Sequence, residues 1–68
     1  MITIHKINYG EKLQNGDIKA TMELRGLSTE TKPSKIENKV VDNGSVFIEI
    51  DTGKLFFYDA ENEEWKGE

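Results

Sequence analysis

The chain has 68 residues, a formal net charge of −4 and no cysteine. At that length it forms one domain, residues 1–68, and buries only about 60% of the surface its unfolded form exposes, so a thin core is expected. The missing cysteines exclude a disulfide framework or thiolate metal site and fit a reducing cytoplasm. The acidic balance argues against nucleic-acid binding, which needs a basic face to displace counterions from phosphate.

Ile2, Ile4 and Ile7 are interrupted by His5 and Lys6. The N-terminus therefore lacks the apolar run of a signal peptide, and no stretch of the chain approaches membrane-spanning length. A soluble chain with no membrane partner is the expectation. Ile2 and Ile4 alternate with polar residues, while Ile7 and Tyr9 continue on the opposite parity, which predicts a strand with a bulge near His5-Lys6. Asn15-Gly16 is a turn signal, because both residue types tolerate positive φ. Ile18, Ala20, Met22 and Leu24 then alternate with Lys19, Thr21, Glu23 and Arg25, the pattern of a strand with one wet face. The first half reads as a long hairpin.

From Gly26 to Ser45 the pattern breaks. Ser28, Thr29, Thr31, Pro33 and Ser34 cluster, Asn43-Gly44 closes the segment with another turn, and Ile36, Val40 and Val41 suit either one helical turn or a short edge strand. Lys32, Lys35 and Lys39 lie among Glu30, Glu37 and Asp42, so a solvated surface of mixed sign is a better reading than a phosphate-binding patch.

The last third, Gly44 to Trp65, places β-branched and aromatic runs on either side of Asp51-Thr52-Gly53, the signature of a second hairpin. A three-residue loop with Gly53 left-handed sets Ile50 opposite Lys54, Ile48 opposite Phe56, Val46 opposite Tyr58 and Phe47 opposite Phe57. Phe47 and Phe57 then share one face of the ribbon, and Ile48, Phe56 and Tyr58 share the other. With both faces apolar, either a coiled barrel wraps them into one core, or the first hairpin covers one face and the other is an interface. After a polar turn from Asp59 to Glu64, Trp65 is expected to return and cap the cluster. The fold class that follows is all-β: a small antiparallel sheet or barrel-like domain built from two hairpins with an irregular middle segment.

Groups that carry chemistry are scarce. His5 is the single histidine and has no serine or cysteine arrangement around it, so a strand histidine is favoured over a catalytic base. The carboxylates from Asp59 to Glu68 lack the ligand spacing and central glycine of an EF-hand loop and read as an acidic, solubilising tail. Asp51-Thr52-Gly53 matches the active-site triplet of aspartic proteases, which work with two carboxylates sharing a proton. Followed at once by Lys54 and an aromatic strand, it reads as a structural turn instead. No enzyme, cofactor, metal or small-molecule substrate is expected.

The stretch Leu27-Ser28-Thr29-Glu30-Thr31-Lys32-Pro33, the pair Gly44-Ser45, and the run from Asp51-Thr52-Gly53-Lys54 to Trp65 together resemble a group of small proteins encoded by bacteriophages and prophages, similar to modules of phage fibre and head-associated proteins. The resemblance runs from Arg25 to Trp65. It implies a phage or prophage context, location in a virion or in the bacterial host cytoplasm, and a structural or accessory role. On that reading the partner is a second copy of the chain or a phage structural protein, met through Phe47, Ile48, Phe56, Phe57 and Tyr58. The crowded carboxylates leave a second expectation, an acidic phage-encoded inhibitor of a host protein.

Overall fold

A computed structural model describes residues 2–67. Over these residues the fold is all-β, with seven strands: β1 (Thr3–Lys12), β2 (Ile18–Gly26), β3 (Lys35–Ile36), β4 (Lys39–Val41), β5 (Val46–Glu49), β6 (Leu55–Asp59) and β7 (Glu64–Gly67). They form one curled sheet, a half-barrel.

The long first hairpin is present, and the register shift between Ile4 and Lys6 is the bulge that the parity change implies. Ala20, Met22 and Leu24 are buried on the inner face of β2, while Thr21 is exposed and Glu23 and Arg25 lie half-buried on the outer face.

The sheet is mixed rather than antiparallel throughout. One edge of β2 pairs with β1, and its other edge is shared by two strands that both run parallel to it: β4 alongside Ile18–Ala20 and β5 alongside Glu23–Gly26. Parallel pairing obliges the chain to travel back along β2 before β4 begins. Residues 27–38 make that journey, with a turn closed by the Glu30 N–H on the Leu27 carbonyl at its start and β3, antiparallel to β4, near its end. The alternation of β2 reports which face is wet but carries no information about the direction of its neighbours.

The middle segment resolves into a short antiparallel hairpin, β3 with β4, whose connection has Glu37 in the left-handed region at φ 55°. The edge-strand reading of Ile36, Val40 and Val41 is therefore the one observed, with no helical turn there.

Where β2 changes partner from β4 to β5, the ladder has a gap, and Ser45 fills it. The fully buried Ser45 accepts the Met22 N–H through Oγ at 3.0 Å and donates from that oxygen to the Asp42 carbonyl at 2.8 Å. Its own carbonyl accepts the Tyr58 N–H at 3.0 Å. One serine thus supplies the hydrogen bonds that a continuous strand would make at the fork.

Candidate interaction surface

The second hairpin is displaced by one residue from the pairing that a three-residue loop would impose. Val46 pairs with Phe57, Phe47 with Phe56, and Ile48 with Leu55. The cause is the turn. Glu49 N–H donates to the Lys54 carbonyl at 2.9 Å and Gly53 N–H to the Glu49 carbonyl at 2.7 Å, so the loop holds Ile50 as well as Asp51, Thr52 and Gly53. Gly53 is left-handed as expected, at φ 76°. Asp51 accepts both the N–H and the hydroxyl of Ser28, at 2.9 and 2.6 Å, and Thr52 donates to Glu49 at 2.7 Å. The bonds to Asp51 hold its carboxyl below the ordinary value, the Ser28 hydroxyl contributing most. The triplet is a structural turn that fastens the crossing loop.

A shift of one residue exchanges the two faces of a strand. Phe47 and Tyr58, read from the sequence as interface residues, are core residues at 0% and 6% exposure. Phe56 is half-buried on the same inner face and packs against that core. Trp65 closes the cluster as anticipated: its ring meets Phe47 edge-on at 5.9 Å and Tyr58 at 4.9 Å, and its indole N–H donates to the Pro33 carbonyl at 2.9 Å.

The curl of the sheet gathers Ala20, Met22 and Leu24 of the first hairpin into one core with Phe47 and Tyr58, and the crossing loop lies over it. Lys32 sits with its ammonium 4.1 Å from the Phe56 ring centre and 5.0 Å from that of Phe47, and 2.7 Å from Glu49 Oε2. Glu49 is buried, and the Lys32 ammonium, followed by the Thr52 hydroxyl, keeps its carboxyl below the ordinary value. A part-buried ion pair over aromatic rings thus caps the half-barrel. The polar Glu49 escapes a sequence reading because its partner Lys32 is 17 positions away.

The outer face holds what remains. Phe57 is exposed there beside the half-buried Ile48, the shifted register brings the half-buried Val46 and Leu55 alongside them, and Ile50 is exposed in the loop. Phe57 is 44% exposed and Ile50 64%. Charged residues border this apolar stripe on both sides. On β2 stand Glu23 and Arg25, and on β7 stand Glu64 and Lys66. No hydrogen bond closes on Glu23 Oε2, which is enclosed near His5 Nε2 and Arg25 Nη2 at 3.5 and 3.9 Å.

A cleft of about 340 Å³ lies at the other end of the sheet, lined among others by Lys19, Ser34, Tyr58 and Glu63. Burial pushes the Tyr58 phenol above its ordinary value, and the Glu63 and Asp59 charges add to the effect. The cleft's charged residues are of both signs, and neither a histidine nor a cysteine lines it. Among the described residues, no three His, Cys, Asp or Glu side chains gather where a metal ion could be held. The lysines of the middle segment are each engaged: Lys32 with Glu49, Lys35 with Asp17, Lys39 with Glu37. In the acidic turn, Asp59 accepts the Glu61 and Asn62 N–H groups and the Asn62 side-chain amide.

No protein-family model, curated protein or solved structure matches this chain. Fold and surface together define a small all-β half-barrel with a closed inner face and an apolar outer stripe.

Proposed function

We propose that this protein is a non-enzymatic structural or accessory module of a bacteriophage or prophage, working by docking through the outer face of β5 and β6. The observation that carries the reading is the outward stripe Val46, Ile48, Leu55 and Phe57, extended by Ile50. A two-stranded apolar strip on a domain this small is surface that association buries favourably, at about 25 cal/mol per Å² of apolar area.

The phage context rests on the resemblance of Leu27–Pro33 and Asp51–Lys54 to small phage proteins. Support comes from the contacts between those two stretches. Ser28 meets Asp51, and Lys32 meets Glu49, which Thr52 also holds. Residues 17 to 23 positions apart form one polar clasp, which is a physical reason for the two stretches to occur together.

The reading as an acidic inhibitor has less support. A phosphate mimic needs an unbroken run of outward carboxylates, whereas Asp59 is spent on its own turn and Lys66 stands 3.5 Å from it.

The test is quantitative mass spectrometry of purified particles from the phage that encodes the chain. A fixed copy number per particle is expected, lost in Phe57→Asp. A chain present only in the infected cytoplasm, bound to a host protein, would contradict the assignment.

A further inference from the structure

The outer face carries a charge pattern as well as an apolar stripe. Following the register across the sheet, Glu23 on β2 lies beside Val46 on β5, Val46 beside Phe57 on β6, and Phe57 beside Lys66 on β7. Cross-strand partners point to the same side, so one straight line on the outer face reads acid, apolar, apolar, base. With neighbouring strands about 4.8 Å apart, the line is roughly 14 Å long.

Such a line is self-complementary. A two-fold axis parallel to the strands, passing between Val46 and Phe57, reverses the lateral order of a second copy. Glu23 of one chain then meets Lys66 of the other, Val46 meets Phe57, and the mirror contacts form by symmetry. Aligned packing of two sheets, inclined by about 30° and about 10 Å apart, is the ordinary way for sheet faces to meet.

We infer that the occupant of the outer face is a second copy of this chain, in a two-fold dimer with the Val46–Phe57 stripe at its centre and Glu23–Lys66 pairs at its rims. The inference deepens the docking role proposed above and rests on it. Lys66 can take the new partner, because it is 59% exposed and held only loosely, by Asp59 at 3.5 Å and Glu64 at 3.6 Å, and Glu23 meets it with the 32% of its side chain that stays exposed while Oε2 is enclosed beside His5 and Arg25. The accessible surface of the described structure is 4546 Å². A standard interface would cover about 800 Å² per partner, roughly a sixth of it, and the small stripe places this dimer at the weak, concentration-dependent end of the range.

Charge reversal in trans supplies the test. Glu23→Lys and Lys66→Glu are purified separately and each is checked for native circular dichroism. A homodimer of either variant sets like charges together at both rims, whereas a mixed pair restores opposite charges at both. At one rim the two substituted side chains meet with their signs exchanged, and at the other native Lys66 meets native Glu23. Each variant alone is expected to associate at least about tenfold more weakly than wild type, and the equimolar mixture to recover heterodimer, read by sedimentation and by native mass spectrometry. A mixture no more associated than its components would overturn the two-fold arrangement. If Phe57→Asp nevertheless abolished binding to phage particles, the docking face would stand with a different occupant. If it did not, the docking reading would fall as well.

Discussion

Replacing Ser45 with alanine removes one oxygen atom and tests whether the fork in the sheet is held as described. The side chain is fully enclosed, so water has no ready access to the Met22 N–H that its Oγ accepts. The Asp42 carbonyl loses the Ser45 hydroxyl but keeps the Ser45 N–H at 3.3 Å. The loss is therefore one buried donor left unmade, about 1–3 kcal/mol. A domain of 68 residues has roughly 3–10 kcal/mol to lose at ~0.05–0.15 kcal/mol per residue. For a domain of this size each kcal/mol lowers the midpoint by about 4–8 °C. Urea unfolding followed by circular dichroism measures the cost, and amide hydrogen exchange locates it, since the Met22 amide should lose protection that neighbouring Leu24 retains. Ser28→Ala is the matched control: it removes a hydroxyl bond of 2.6 Å at an exposed site, where a smaller loss is expected. A Ser45→Ala protein within about 0.3 kcal/mol of wild type, with Met22 still protected, would refute the reasoning, because an unmade buried bond costs more than that.

Gly53→Val strains a left-handed position, and since nothing lies within 4 Å of the added carbon, the expected loss of roughly 1–3 kcal/mol is backbone strain alone, read from urea unfolding. Trp65→Ala removes a half-buried ring and its bond to Pro33, for an expected loss of about 2–4 kcal/mol, and the native protein should emit blue of free tryptophan. The carboxyls of Asp17, Glu30, Glu49, Asp51 and Asp59 all lie below their ordinary values. The unfolded chain therefore binds protons first on acidification, so stability should hold above about pH 5 and fall steadily below about pH 4. The raised Tyr58 phenol acts in the other direction, and stability should fall again as pH rises past its ordinary value of 10.0. Thermal midpoints across the pH range check both limbs.

Much of the fold is legible in the sequence because it follows from two-residue periodicity and turn chemistry. The bulge at His5-Lys6, the wet and dry faces of β2, the turns at Asn15-Gly16 and Asn43-Gly44, and the return of Trp65 all depend on local pattern. The candidate surface is less legible, and the reason is a single residue. Ile50 continues the alternation of Val46 and Ile48, so pattern alone assigns it to the strand. Its place in the loop is decided by the Glu49 pairing with Lys54 and by the bonds of Asp51 to Ser28 and of Thr52 to Glu49. That one step moves Phe47 and Phe56 together onto the inner face and brings Val46 and Leu55 beside Ile48 and Phe57 on the outer one. The parallel strands and the part-buried Lys32–Glu49 pair are illegible for a related reason, since both depend on contacts between residues far apart in the chain.

The central claim is that the stripe on β5 and β6 is a docking face, and sedimentation of the wild-type chain across a concentration series up to about 1 mM tests it most directly, within the range of weak, transient interfaces. The expected result is a reversible shift from monomer to dimer that Phe57→Asp abolishes without loss of native circular dichroism. A chain that stays monomeric throughout the series and is absent from particles of the proposed phage would contradict the account.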